Sequence, residues 1–211
     1  MNRRVKSPDE TRRKLLDAGL RVFGTISFGS AKLENIAVEA GMTRGAISWH
    51  FKNKKALFRE MLKDFATEKF NAVLGIYNCG EPPMKILEML IEYHMKRLDE
   101  FYLLVSALSS TSLEKPEGLE DVFSFMDEKF NEYFIAHAEL IIRGINEGVF
   151  RGDLEPDFHA RSFYAYLWGV YLNRGRLFSS YDAEAMRVNC RDEIMLSYIK
   201  PEVRGCNGSR V

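Results

Sequence analysis

The sequence lacks most of the features that would mark a specialised class. Cysteine is scarce: Cys79, Cys190 and Cys206 are odd in number and irregularly spaced. That argues against a disulfide framework or a zinc site and for a reducing compartment, the cytoplasm. No long hydrophobic run occurs. The longest, Phe163 to Leu172, is too short to cross a bilayer, so no membrane association is expected. The amino terminus is basic but has no apolar signal core, and no secretion signal is expected. There is no Gly-rich phosphate loop, nucleophile elbow or paired metal-ligand motif. His94, His137 and His159 stand apart in sequence, and the scattered carboxylates suit solvated faces. An enzyme, a metal or a cofactor is therefore not expected.

The chain has 211 residues and a hydrophobic fraction of 46%, ordinary for one or two globular domains. Its zero net charge hides a division. Residues 1–60 carry 13 Lys and Arg against 6 Asp and Glu, whereas the remainder is acidic. A basic segment joined to an acidic one suggests that the first meets a polyanion.

Within the basic segment, Leu33, Ile36, Ala37 and Ala40 have the spacing of a one-sided helix. Gly41 suits a left-handed stop, and Thr43 a cap for the next helix. In that next helix Ile47 and Phe51 can face inward. Arg44, Gly45, Ala46, Ser48 and His50 are small, polar or basic. A surface of small residues led by an arginine fits the DNA major groove, where arginine reads guanine.

This stretch resembles the DNA-binding domain of the TetR/AcrR family of bacterial transcriptional regulators. Ile36-Ala37, Gly41, Thr43-Arg44-Gly45-Ala46-Ile47, Trp49-His50-Phe51, Lys52-Asn53-Lys54 and Leu57-Phe58 carry the resemblance. It covers the first sixty or so residues closely and, beyond them, only the helical layout. It implies an all-α fold, with a helix-turn-helix domain over 1–58 and an effector-binding and dimerisation domain over 59–200. A helix over 54–78 links the two, and 201–211 form a disordered tail. About nine helices are implied in all.

The resemblance further marks Thr43, Arg44, Gly45 and Ala46 as base-facing, Trp49 and His50 as backbone contacts, and Lys54 as a phosphate contact. Two departures stand out. Ser48 replaces a usual tyrosine, and Ala31-Lys32 replace usual threonines, leaving Ser30 as a possible cap and Lys32 as a charge contact. Ser7-Pro8-Asp9-Glu10 opens the first helix. Arg3, Arg4, Lys6, Arg12, Arg13 and Lys14 offer either further phosphate contact or a solvated arm.

After the break at Asn78-Cys79-Gly80-Glu81-Pro82-Pro83, helices are expected near 84–98, 100–112, 118–148, 157–178 and 184–199. The segment Phe163–Leu172 carries no polar face, so burial on most sides is required. With the helix near 184–199 it is expected to form a four-helix homodimer interface through Phe163, Leu167, Val170, Ile194 and Tyr198. A central helix buried wholly within one subunit is the alternative. Met89, His94, Phe101, Phe130, Phe134 and Asn173 are the candidate lining of a pocket for an uncharged apolar or aromatic effector. For His94 and Asn173 a surface position or a satisfied core hydrogen bond serves equally well.

The expected function is that of a dimeric repressor on palindromic double-stranded DNA, its two recognition helices about 34–36 Å apart, released by a small ligand. Two alternatives stand beside it. One is a DNA-binding protein with a structural or protein-controlled role and no effector. The other is a helical enzyme, for which no catalytic constellation is visible.

Overall fold

The computed structural model describes residues 8–177 and 179–199. The arm residues Arg3, Arg4 and Lys6, the cap Ser7 and the tail 201–211 lie outside them. Among the described residues there are nine helices and no strand. They are α1 Pro8–Thr25, α2 Leu33–Ala40, α3 Arg44–His50, α4 Lys54–Tyr77, α5 Pro83–Lys96, α6 Leu98–Glu114, α7 Glu120–Asn146, α8 Pro156–Leu177 and α9 Ala183–Tyr198. None is long and apolar enough to cross a membrane.

Two compact units emerge. The first joins the chain up to Glu68 with Glu100–Asp127, and the second joins Lys69–Asp99 with the described residues from Glu128 onward. The division therefore does not follow the break at residue 58 that the sequence suggests. The reason lies in the packing of α6 and the first turn of α7 on the amino-terminal helices. At Gly24 of α1, an added Cβ would fall 2.8 Å from the Leu103 carbonyl oxygen, so only glycine admits the backbone of α6 this closely. Arg59 of α4 donates through Nε to both Asp121 oxygens at 3.0 Å and through Nη2 to the Gly118 carbonyl at 2.6 Å. Lys63 adds a bond to Asp121 at 2.9 Å. The Lys63 hydrogen bond, followed by Arg59, holds the Asp121 carboxyl below the usual carboxylate range.

The first unit closes around an aromatic cluster. The Phe23, Phe28 and Phe58 rings lie 4.9–5.7 Å apart between centres, with Leu16, Ile36, Ile47, Leu57 and Leu62 almost wholly buried around them. Arg13 ties α1 to α4 by bonding Asp64 and Glu68 at 3.0 Å, and it also holds Asp17. Arg12 pairs with Glu60. Both arginines, candidates for phosphate contact from sequence, thus serve the helix packing.

Candidate nucleic-acid interface and the polar core of the second unit

Local chemistry sets the turn between α2 and α3. Gly41 adopts φ +63° and ψ +39°. The N–H groups of Gly41 and Met42 then close on Val38 and Ala37 carbonyls at 3.0 and 2.9 Å, the left-handed arrangement that ends a helix. Thr43 caps α3, its Oγ1 accepting the Ala46 N–H at 3.3 Å. Ile47 is fully buried and Phe51 nearly so, which anchors α3 by one side.

The opposite side of α3 is open. Arg44, Gly45, Ser48 and Trp49 are exposed, with Ala46 and His50 half-buried. Trp49 is 73% exposed and Val38, on α2, 80% exposed. Nothing inside the chain requires a small residue at Gly45, where an added Cβ would meet only Thr43 Oγ1, at 3.8 Å. The Trp49 and His50 rings meet edge-on with centres 4.5 Å apart. The Ser48 hydroxyl donates back to the Arg44 carbonyl at 3.2 Å. Its oxygen stays free to accept. Arg44 Nε lies 3.0 Å from Glu34 Oε1, and both side chains face solvent.

Two expectations for this surface change. The cap position of α2 is Lys32, in extended backbone, with its N–H accepted by Asn35 Oδ1 at 2.9 Å. Ser30 pairs instead with Ser27. The Lys32 side chain remains exposed beside α2. Lys54 is the larger correction. Its ammonium donates to the carbonyls of Phe28, Gly29 and Ala31 at 2.5, 3.2 and 2.9 Å and lies 4.5 Å from the Phe28 ring centre. An ammonium has three N–H donors, and all three are used, so Lys54 has none left for a phosphate. Burial lowers its pKa, opposed by the charge of Glu114. Asn53, by contrast, caps α4 as the sequence suggests, accepting the Ala56 N–H at 2.9 Å.

Of the candidate effector residues, His94 and Phe134 both lie against the Tyr164 ring, with centres 6.1 and 5.8 Å from it. Phe101 belongs to the first unit, whereas Met89, His94, Phe130, Phe134 and Asn173 belong to the second. Phe130 and Phe134 stack at 6.5 Å, and Phe130 meets Trp168 at 5.3 Å. Asn173 turns its amide to the Gly169 carbonyl at 3.0 Å. His94 is buried with Nδ1 2.7 Å from the Tyr171 hydroxyl, the core histidine reading rather than the surface one.

Around it runs a polar chain that the sequence does not announce. His137 is fully buried, with Nδ1 2.6 Å from Tyr77 Oη and Nε2 2.7 Å from Tyr198 Oη. Tyr77 Oη is also 2.9 Å from Tyr164 Oη. A neutral imidazole supplies one donor and one acceptor, so every bond in this chain can be satisfied with the protons running in either direction. Burial drives both histidines to the neutral form. It lowers His94 to about 3, aided by Arg97, and His137 to about 3, aided by His94. Burial likewise raises the phenols of Tyr77, Tyr164, Tyr171 and Tyr198.

The proposed dimer residues also change role. Phe163, Leu167, Val170, Ile194 and Tyr198 are all buried inside the single chain, since α8 turns that side to its own core. The exposed side of α8 instead carries Phe158, Ala165, Tyr166, Gly169 and Leu172, and α9 exposes Leu196.

Comparison with known proteins places these features. The family model described as "Bacterial regulatory proteins, tetR family" matches residues 15–61. The transcriptional regulator TtgR of Pseudomonas putida is 43% identical over 184 residues, covering 81% of this chain and 83% of that one. The probable acrEF/envCD operon repressor of Escherichia coli is 40% identical over 163 residues, covering 66% and 74% respectively. With other curated regulators the match is confined to 53–62 residues, and the chain spans only 25–40% of their length. Among solved structures, the ketosteroid regulator KstR2 of Mycobacterium tuberculosis superposes with a TM-score of 0.74 at 20% identity, over 90% of this chain and 95% of that one.

Proposed function

The chain belongs to the TetR family of bacterial regulatory proteins, and on that footing we propose that it is a homodimeric cytoplasmic repressor released from a palindromic operator by a small apolar or aromatic ligand. The observation that carries the DNA-binding half is the two-sided α3. Ile47 and the following Phe51 fix one side in the core, while Arg44, Gly45, Ser48 and Trp49 stand free on the other. A protruding helix with small residues and one arginine at its leading end fits the major groove. Lys32, Thr43, Ala46 and His50 border that surface. The word "repressor" in the name of the Escherichia coli relative supports the direction of control.

Dimerisation is assigned to the exposed faces of α8 and α9. A row of Phe158, Ala165, Tyr166, Gly169 and Leu172, joined by Leu196, is an apolar surface suited to a second copy of itself. Effector binding is assigned to the aromatic second unit, through Met89, His94, Phe130 and Phe134. A ligand acts only through differential affinity for two conformers. The hydrogen-bonded His94–Tyr171 pair favours a second reading, in which this core is structural and a protein partner controls the regulator.

The deciding experiment is titration of the operator, found by footprinting the DNA around the protein's own gene, with wild type, Arg44→Ala and Trp49→Ala across a salt series. Specific binding should weaken in both variants, with unaltered melting temperatures because both side chains are exposed. Affinity for the footprinted duplex no higher than for a scrambled one would overturn the assignment. Release by an apolar ligand that operator DNA reciprocally weakens separates the two readings of the core.

A further inference from the structure

Of the acidic residues near the interface, Glu34 is placed differently from the others. Asp17, Glu39 and Glu60 pair with Arg13, Arg21 and Arg12, all arginines of α1. Glu34 pairs with Arg44, the first residue of α3. It stands in the first turn of α2, is half exposed, and is absent from the buried core. A carboxylate on a surface that must approach phosphates is an electrostatic cost, so a compensating role is called for.

The geometry supplies one. Glu34 Oε1 lies 3.0 Å from Nε of Arg44. A guanidinium presents five N–H donors in a rigid planar fork. The ion pair is formed at Nε and the Arg44 side chain is 74% exposed, so its two terminal nitrogens stay accessible to a ligand. Those two nitrogens are the pair needed to reach O6 and N7 of one guanine together. An arginine without such a partner samples many rotamers and gives up that freedom on binding. It can also swing to a neighbouring phosphate, where it carries no sequence information.

We propose that Glu34 is a positioning residue for sequence readout: it holds the Arg44 fork toward a base and away from the phosphate backbone. The inference rests on the reading of Arg44 as a base contact. It has a signature that a purely electrostatic role lacks. Removing a negative charge should tighten binding to DNA of any sequence, whereas losing a positioning contact should reduce discrimination between sequences. Glu34→Ala is thus expected to move the two quantities in opposite directions.

The test uses the full-length protein with the operator, a scrambled duplex, and operators substituted at the base pair that Arg44→Ala identifies. Wild type, Glu34→Gln, Glu34→Ala, Arg44→Ala and the double variant Glu34→Ala/Arg44→Ala are titrated across a salt series. Both Glu34 variants should bind the scrambled duplex more tightly. At the Arg44 base pair their preference for the native base should fall about three- to tenfold, and Glu34→Gln should retain part of it. In the double variant, the Glu34 change should cost no further discrimination beyond Arg44→Ala alone. Both side chains are exposed, so melting temperatures should hold and exclude misfolding as the cause. Unchanged or improved discrimination in Glu34→Ala, alongside tighter binding to all duplexes, would make Glu34 a mere repulsive charge and overturn the proposal. If Arg44→Ala itself alters affinity but no base preference, the failure lies in the reading of Arg44, and the proposal falls with it.

Discussion

The ammonium of Lys54 donates to the carbonyl of Phe28 at 2.5 Å and sits 4.5 Å from the centre of the same residue's ring. With the Gly29 and Ala31 carbonyls also on Nζ, this one side chain gathers the loop between α1 and α2. The loop in turn sets where α2 begins, and α3 follows through the Gly41 turn. Lys54→Met keeps the stem but strands the two partly buried carbonyls of Phe28 and Ala31, the Gly29 carbonyl being exposed to water, which should cost about 1–3 kcal/mol of stability. Urea melts of the two proteins check this. The salt dependence of DNA binding by the folded variant should match wild type, because no phosphate contact is lost. A reduced salt slope with unchanged stability would return Lys54 to the DNA.

Glu114 works on the same loop from the other end of the first unit. Its Oε2 accepts the Gly29 N–H at 2.6 Å, across 85 positions of sequence. The last turn of α6 thereby touches the segment that leads into α2 and α3, the helices proposed to meet DNA. Glu114→Ala should lower stability by up to about 1 kcal/mol and weaken operator binding severalfold, through a looser 27–32 loop. Hydrogen exchange at Gly29 should rise in the variant. Unchanged exchange there would remove the proposed restraint.

How far the sequence reveals this protein follows contact range. Gly41, Thr43, Asn53, Ile47 and Phe51 are legible because caps and the helical period act over a few residues. The same signals locate all nine described helices. The role of Lys54 is not legible, because a lysine in a first turn suits a phosphate until the carbonyls 23 to 26 positions earlier are in place. His137 bonds partners about 60 positions away in both directions. Its only local signal is its place on the buried stripe with Tyr133, Leu140 and Ile141. In α8 the period is silent for another reason. A helix apolar all round shows that it is covered, but not which side its own chain covers.

That ambiguity, once resolved, changes the choice of variant for testing dimerisation. Leu167 is buried in its own subunit, so Leu167→Asp should unfold the monomer and report nothing about the interface. Gly169 lies on the exposed side of α8, and an added Cβ there meets nothing within 4 Å. Gly169→Glu should therefore spare the monomer, and replacing an interior helical glycine should stabilise α8 by a few tenths of a kcal/mol. The same charge would be buried and unpaired in a dimer built on this face. Sedimentation should give a dimer for wild type and a folded monomer for the variant. A variant that remains dimeric would move the interface elsewhere.

The two buried histidines give the protein an acid sensitivity of calculable sign. Each is lowered to about 3 in the fold from an ordinary 6.5. Above 6.5 both the folded and unfolded chains carry them neutral, and pH has no leverage through these groups. Between 6.5 and about 3 the unfolded chain takes up protons that the folded chain refuses. Stability must then fall as pH falls, by about 1.4 kcal/mol per pH unit for each histidine. Urea melts at pH 7.5 and 5.5 measure the loss. His137→Gln should be less stable at pH 7.5, because Gln cannot bridge Tyr77 and Tyr198 with the reach of an imidazole. It should nonetheless lose less on acidification than wild type, since one proton-refusing site is gone. Equal losses in the two proteins would mean that His137 is protonated in the fold and that its bonds to Tyr77 and Tyr198 are not those of a neutral ring.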